Sequence, residues 1–356
     1  MAKQEAVPVK VKAGQDIDDG KLVSFTVEQD LDQPDMAAIQ LNNDSHEFTN
    51  SINLGDDIEI KVGTDETVIF KGEVVALEGL YKQGGGSRLL VRGFNKLHRL
   101  VRGPKSRTYV DKKDSDIASQ IAQENGLSAD AEATSVTHKH VYQHNMTDLA
   151  FLRQRAARNG YEVLVDDRTL HFRKPKVGED SGVELGLNDA EQEGLIKTFT
   201  PRLSSAQVVS EVEVRAWDPE KKEVIVGKAS ASSSPLGSKT GASASSGAFG
   251  KSVSITVDSP VASVDEATKL AEARLGDLTM GYITGDAMCK GNEKLKAGIS
   301  IKITVNTEET SDRFNGKYFL LGCTHRYRHS GGAGGGAEGA GYTTLIRFSR
   351  DAEKGQ

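Results

Sequence analysis

The sequence predicts a mainly β protein in which two antiparallel β units of barrel type flank a small α+β insert. Three observations predict it. Residues 1–104 alternate apolar and polar side chains in short runs joined by turns; residues 105–175 change to helical spacing closed by a hairpin; residues 176–356 return to alternating strands. Short, closely spaced strands separated by turn residues are the pattern of antiparallel barrels and sandwiches.

In the first unit, Ile58-Glu59-Ile60-Lys61-Val62 places three branched side chains on one face of a strand and two charges on the other. Val68-Ile69-Phe70 follows the turn Gly63-Thr64-Asp65, then come Gly72 and Val74-Val75-Ala76-Leu77. Arg88-Leu89-Leu90-Val91-Arg92 forms another strand after Gly84-Gly85-Gly86. In the insert, Asp114-Ser115-Asp116 caps a helix whose Ile117, Ala118, Ile121 and Ala122 share a face, and Asn125-Gly126 ends it. A second helix begins at Thr147-Asp148, runs through Leu149, Leu152 and Ala156, and stops at Gly160. Its closing arginines, Arg153, Arg155 and Arg158, suit the negative end of the helix dipole. Tyr161 to Val165 and Leu170-His171-Phe172 form a hairpin around Asp166-Asp167-Arg168.

The β pattern then resumes. Val212 to Ala216 alternates and pairs with Val224-Ile225-Val226 across a turn, and Ser263-Val264-Asp265-Glu266 is a capping box for a helix with Ala267, Leu270, Ala271 and Leu275 in one stripe. Residues 230–250 are Ser, Gly and Ala with hardly a large apolar side chain, too little to offset chain entropy, so a flexible loop is expected there. Ile299 to Val305 is the cleanest strand, and two more, at 318–327 and 343–348, flank the glycine-rich residues 331–341.

Two distant stretches share one grammar. Gly55-Asp56-Asp57-Ile58-Glu59-Ile60 precedes Phe70-Lys71-Gly72-Glu73-Val74, and Gly298-Ile299-Ser300-Ile301-Lys302-Ile303 precedes Phe314-Asn315-Gly316-Lys317-Tyr318. Alternating strands resemble one another by chance; the sharper reading is one β unit carried twice, able to present two similar surfaces to a ring.

Composition narrows the function. Lys plus Arg number 45 against 51 Asp plus Glu, for a net charge of -6, which does not indicate a strongly basic nucleic-acid or membrane-surface binder and leaves room only for a local basic face. No run of about 18 apolar residues exists to span a membrane, and the N-terminus lacks the apolar stretch of a signal peptide, so synthesis and folding in a cytoplasm are expected. Cys289 and Cys323 cannot build a disulfide framework and read as small core residues. Asp16 to Gly20 misses the calcium-loop spacing, with Val27 where glutamate belongs. His138, His140 and His144 lack a companion ligand cluster, which favours an exposed strand edge over a zinc site. Gly334 to Gly339 fits G-x-G-x-x-G but lies between strands, as a hairpin loop does. No nucleophile elbow, carboxylate pair or metal motif points to catalysis; no catalytic residue, metal or cofactor is expected.

The stretch from Gln143 through Asp148-Leu149-Ala150-Phe151-Leu152-Arg153-Gln154-Arg155 to Gly160-Tyr161, ending in Leu170-His171-Phe172, resembles a signature of the contractile-tail baseplate hub superfamily. That superfamily comprises the phage late-control D protein, the T4-type hub and the N-terminal part of type VI secretion spike proteins. Gly322, His325, Gly341, Tyr342 and Thr344 are similar to its closing Gly-x-x-His-x-Phe…Gly-Tyr-x-Thr strands. Leu90 to Phe94 with His98-Arg99-Leu100 is a third match, and the resemblance spans residues 20–350.

The resemblance implies two tube-like antiparallel β-barrels plus a small helix–hairpin domain, in a homotrimer with pseudo-six-fold symmetry. That trimer would join a hexameric inner tube to a trimeric spike, beside other baseplate proteins, in a phage tail or injection particle. It implies a structural role without catalysis; because the chain ends at Gln356, the spike needle is expected to be a separate protein. A cell-wall-degrading tail enzyme or a glycan-binding tail module are the alternatives, the latter weakened by Trp217 being the lone tryptophan. Interface residues are expected along Ile58, Glu59, Ile60, Lys61 and Val62 and along Ile299, Ile301, Lys302, Ile303 and Val305.

Overall fold

In the computed structural model of the chain, the residues described are 7–83, 86–187, 195–219, 221–257, 260–305, 312–329 and 341–353. The glycine-rich residues 331–340, with the G-x-G-x-x-G match, and Gly84-Gly85 lie outside them.

The first β unit holds β1 (Val9–Ala13), β2 (Gln15–Ile17), β3 (Leu22–Asp30), β4 (Gln33–Asn42), β5 (Asp57–Val62), β6 (Thr67–Leu80) and β7 (Arg88–Phe94). The alternation at 58–62 does what period two requires: Ile58, Ile60 and Val62 are buried, while Glu59 and Lys61 lie on the other face. A turn at Lys96–Val101 then leads into the insert. It holds β8 (Lys105–Lys113), α1 (Asp114–Glu124), β9 (Ser128–Ala131), β10 (Thr137–Met146), α2 (Asp148–Asn159), β11 (Glu162–Asp166) and β12 (Thr169–Arg173). α2 starts where Thr147 Oγ1 accepts from the Ala150 N–H at 3.2 Å and ends at Gly160, whose φ of +65 is the left-handed cap that glycine adopts without strain. One core, built from Ile117, Ile121, Phe151, Leu152, Leu170 and Phe172 among others, fills this insert.

β13 (Asp180–Gly186) and β14 (Ile196–Leu203) follow, and the chain then departs from the single β region expected over 176–356. A second insert intervenes: β15 (Glu211–Asp218), β16 (Glu223–Ser230), β17 (Lys239–Thr240), α3 (Gly241–Phe249), β18 (Val253–Thr256) and α4 (Val264–Met280). β15, β16 and β18 make their own sheet, and Ala267, Leu270, Ala271 and Leu275 of α4 cover it in a separate core with Val212, Val214 and Ile225. The second unit then resumes with β19 (Ile283–Lys290), β20 (Ser300–Thr304), β21 (Gly316–Arg328), β22 (Gly341–Arg350) and β23 (Ala352–Glu353).

The Ser/Gly tract departs from the expected loop. It carries α3, capped by Thr240 Oγ1 accepting from the Ser243 N–H at 3.2 Å. It is held to the second unit by Ala242, 2% exposed in that unit's core, by the pairing of Thr240 with Ala352 and by the Gly241 N–H donating to Asp351 O at 2.8 Å, and Leu236 is buried at 3% exposure. Gly241 lies against the Tyr282 ring, where a side chain would collide. Smallness lets this segment approach backbone and ring closely, a contribution that counting large apolar residues misses.

Among the described residues the strands form open sheets and none closes on itself, so where barrels were expected from the sequence the chain shows two open units. Their connectivity is the same. Along the largest sheet the first unit runs β3-β4-β7-β6-β5 and the second β14-β19-β22-β21-β20, all pairs antiparallel. Two irregularities in each unit coincide too, while the slips at Glu28/Asp30 and Ile60/Lys61 of the first unit have no counterpart in the second. β6 slips register against β7 between Val74 and Ala76, and β21 against β22 between Leu320 and Gly322; β3 slips against β4 between Leu22 and Ser24, and β14 against β19 between Ile196 and Thr198.

Bulges are placed features of a sheet, so these four slips put both units in one residue frame. Loop hydrogen bonds repeat in that frame. The Gly55 N–H donates to Val74 O at 2.8 Å and the Gly298 N–H to Leu320 O at 2.9 Å; the Asn42 N–H donates to Lys21 O at 2.8 Å and the Lys290 N–H to Leu195 O at 2.9 Å. Ile58 and Ile60 correspond to Ile301 and Ile303, as the sequence echo set them. The Phe-x-Gly half of the echo is displaced, because Gly72 opposes Ile58 whereas Gly316 opposes Ile303. The outer strands differ: β1 joins β5 antiparallel, and β13 joins β20 parallel.

Candidate assembly interface

The signature around α2 is a clamp. Asp148, 2% exposed, accepts hydrogen bonds from Lys105 Nζ at 2.6 Å, Arg107 Nη2 at 2.8 Å, Asn125 Nδ2 at 3.1 Å and Gln143 Nε2 at 3.1 Å, tying α2 to β8, β10 and the end of α1. Burial alone would raise its pKa; these donors outweigh burial and lower it. Phe151 stacks on Tyr109 at 5.7 Å, Leu152 is fully buried, and Tyr161 meets Phe172 edge-on at 5.4 Å.

On the next turn, Arg155 binds Asp114 through Nε at 2.6 Å and also reaches His138 Nε2 at 2.8 Å. Asp114 sits at about 2: burial pushes it up, and the bonds from His138, Arg155 and Asn159 push it further down. Arg158 donates to Glu266 at 2.7 Å and to Pro260 O at 2.7 Å, joining the two inserts. The signature residues therefore fix one insert and seat it on the other.

The closing-strand residues form a second buried cluster. His325, fully buried on β21, lies 2.6 Å from Tyr342 Oη, 3.4 Å from Thr344 Oγ1, 3.3 Å from Cys323 Sγ and 3.1 Å from Leu295 O. Burial lowers its pKa to about 4, the Leu295 carbonyl opposing. Gly322 marks the β21 bulge, and Gly341 opens β22 at φ +125. Burial raises both thiols, Cys289 to about 12, as suits core residues.

The expected interface strands divide by face. Ile58, Ile60, Val62, Ile301 and Ile303 are buried in the chain's own cores, with Ile299 and Val305 packed against them, so these side chains are interior and leave contact with a neighbour to other groups. Glu59, Lys61 and Lys302 face outward, Lys302 holding Glu184 at 3.0 Å. A shallow, charged groove of about 220 Å³ is lined by Glu59 together with Lys12, Lys71, Lys96 and Asp167. His140 and His144 are exposed, and among the described residues no group of three or more His, Cys, Asp or Glu could hold a metal. No helix among them is long and apolar enough to cross a membrane.

Sequence reasoning missed the junction between the units. β3 lies antiparallel on β21, so the largest sheet runs from one unit into the other. Phe25 stacks on Tyr327 there, with ring centroids 5.2 Å apart. No periodicity in either strand announces which partner it takes.

Residues 3–329 match the family model described as Alg8 N-terminal domain. No curated protein matches the sequence. Among solved structures, the chain is similar to the 43 kDa tail protein of prophage MuSo2 from Shewanella oneidensis, at TM-score 0.70 and 13% identity over 98% of this chain and 100% of that one. It is similar to a tail protein of Neisseria meningitidis at TM-score 0.68 and 14% identity, over 97% of each chain. An Escherichia coli component of the type VI secretion system, itself described as similar to the T4 tail proteins gp27 and gp5, matches at TM-score 0.61 and 13% identity over 98% of this chain and 74% of that one. The fold is thus that of phage tail and type VI secretion baseplate-related proteins, as the sequence resemblance implied.

Proposed function

The chain belongs to the Alg8 N-terminal domain family, and on that premise we propose that it is the central hub of a phage tail or phage-like contractile injection particle. Three copies bring six related β units into a pseudo-six-fold ring. One end of that ring receives a hexameric inner tube, and the other carries a trimeric spike. The hub assembles in the cytoplasm with the other baseplate proteins and leaves with the particle.

The observation that supports this reading is the shared connectivity of β3-β4-β7-β6-β5 and β14-β19-β22-β21-β20, with two bulges in common. A three-fold object can meet a six-fold one without mismatch only if each chain offers its neighbour two near-equivalent surfaces. Carrying one sheet twice provides them. The two inserts, clamped by Asp148, Arg155 and Arg158, set the units apart from their surroundings by position and by no chemistry of their own. The protein works by geometry, as a non-enzymatic adaptor.

The test is stoichiometry and place. Mass measurement of the purified protein and averaged images of the particle are expected to give three copies at the junction of tube and spike. A monomer with no end-on contact to the tube overturns the reading.

A further inference from the structure

A cleft lies between the outward face of the first β unit and the insert that follows it, and the fold leaves several of its charges unused. Cross-strand register puts Lys12 opposite Glu59 and Glu59 opposite Lys71, with Asp57 opposite Glu73 beside them. From outside the sheet come Lys96 and Arg99 of the turn at Lys96–Val101, Asp167 and Arg168 between β11 and β12, and Gly126 after α1. Two lobes result, of about 220 and 270 Å³, and Asp57, Lys96 and Arg168 line both.

Most charges there are paired. Glu73 accepts from Arg99 Nε at 3.0 Å, Asp167 lies 3.6 Å from Lys71 Nζ, and Glu59 lies 3.6 Å from Lys61 Nζ. Among the described residues the side chains of Lys12, Lys96, Arg168 and Asp57 have no hydrogen bond and no ion pair. Lys96 is the telling one. It is 6% exposed, yet its ammonium is not one of the sealed polar atoms, so the cleft is where that group meets water. Lysines this deeply buried are ordinarily paired. Snorkelling accounts for one lysine tip at a water surface; it does not account for three unmatched cations lining one lobe.

We infer that the cleft is a binding site for a small phosphomonoester whose other end carries hydroxyl groups. Three free cations against one free carboxylate leave an excess of two positive charges, and a phosphomonoester carries about −1.5 to −2 at pH 7. Arg168 offers a planar fork to two of its oxygens, and Lys12 and Lys96 offer point charges to the others. All three line the first lobe.

The second lobe suits the body of such a ligand. Gly55 and Gly126, at φ +91 and +71, have no atom within 4 Å of where a side chain would begin, which keeps the lobe clear. Asp57 and Glu73 line it as acceptors for hydroxyl donors, so the free carboxylate is used by the same molecule that the cations hold. No apolar side chain lines this lobe, which excludes a greasy ligand. An extended acidic peptide needs more room, since drug-sized molecules already fill about 300–1,000 Å³.

Isothermal titration calorimetry of the full chain with glycerol phosphate, inorganic phosphate and glycerol, at fixed ionic strength, tests the site. Glycerol phosphate is expected to bind saturably, one per chain. Inorganic phosphate is expected to bind about tenfold more weakly for want of the hydroxyl contacts, and glycerol not at all. Lys96→Met, which keeps the packed stem and removes the charge, and Arg168→Gln are each expected to weaken glycerol phosphate about tenfold or more. Arg168 is exposed, so its variant keeps the fold whatever Lys96→Met does, and circular dichroism checks both. Lys10→Gln, on the same strand as Lys12 but paired with Glu66 outside the cleft, is expected to change nothing. No saturable binding, or binding that survives both Lys96→Met and Arg168→Gln, overturns the site. Equal affinity for inorganic and glycerol phosphate overturns the part given to the second lobe. A polyglutamate peptide that binds and is lost in both variants, while glycerol phosphate does not bind, overturns the phosphate assignment in favour of an acidic protein partner. None of these outcomes bears on copy number or on place in a particle, so the hub reading stands or falls separately.

Discussion

Arg155 grips Asp114 with two hydrogen bonds, Nε to Oδ1 at 2.6 Å and Nη2 to Oδ2 at 3.1 Å, and both side chains are nearly sealed from water. Removing one partner of a buried, bidentate pair leaves the other charged and undersatisfied, at a cost of about 3–5 kcal/mol. Arg155→Met is therefore expected to lower the denaturation midpoint strongly. Arg155→Lys recovers only part of the loss, since an ammonium cannot form both bonds in the same plane. Urea unfolding followed by circular dichroism measures both, and equal stability of Arg155→Met and wild type would refute the clamp.

That pair shows what the sequence carried and what it did not. The helix α2, its start at Thr147-Asp148, its end at Gly160 and the inward positions of Leu149, Leu152 and Ala156 follow from spacing and cap chemistry, and all were legible. Asp114, forty-one residues away, reads in sequence as a capping residue of α1; only the fold brings it under Arg155. The same limit hid the second insert. Its strands at 211–218 and 223–230 and its helix at 264–280 announce themselves, but periodicity does not say that they pair among themselves and leave β14 beside β19. In the echo, Gly55 and Gly298 were matched correctly because a turn with positive φ demands glycine. Phe70 and Phe314 were matched two places out because the frame of β6 and β21 depends on cross-strand register.

His325 predicts a pH dependence. Its pKa is lowered to about 4, against about 6.5 in the unfolded chain, by burial that the Leu295 carbonyl only partly offsets. The unfolded state therefore binds the proton first, and stability due to a neutral His325 is present above pH 6.5 and is lost as pH falls toward 4. Between pH 7 and 4.5 the loss from this one group is about 2 kcal/mol by linkage. His325→Gln lacks that term, so its stability deficit relative to wild type is expected to shrink by about that amount over the same interval. Denaturant titrations of both proteins at the two pH values decide it; a deficit independent of pH rules the effect out.

Leu236 predicts how the Ser/Gly tract is held. It is 3% exposed, and the helix α3 that follows is built from small side chains with little packing of their own. Leu236→Ala is expected to cost about 2–4 kcal/mol by removing buried methyl groups. It also frees the segment, so proteolysis is expected to cut within 230–250 in the variant well before the wild type. Exposed Phe249→Ala is the comparison, with a change within about 0.5 kcal/mol. Equal effects at 236 and 249 would mean that the tract is not anchored.

Gly55 and Gly298 give the sharpest test that the two β units are one design. They hold φ of +91 and +82, and each donates its N–H to the residue just before the bulge in the neighbouring strand, Val74 and Leu320. Nothing lies within 4 Å of a side-chain carbon added at Gly55, and at Gly298 the nearest atom is Leu31 Cδ2 at 3.4 Å. An alanine is therefore opposed by the backbone conformation and not by crowding, at about 1–2 kcal/mol in each place. Gly55→Ala and Gly298→Ala are expected to destabilise by amounts equal within about 0.5 kcal/mol, and the double variant by their sum, since the two turns share no partner. Gly20→Ala, with open space around it and no left-handed φ, is expected to be neutral. If Gly298→Ala destabilises while Gly55→Ala behaves like Gly20→Ala, the turns are not equivalent. The frame that relates β6 to β21 would then lose its support.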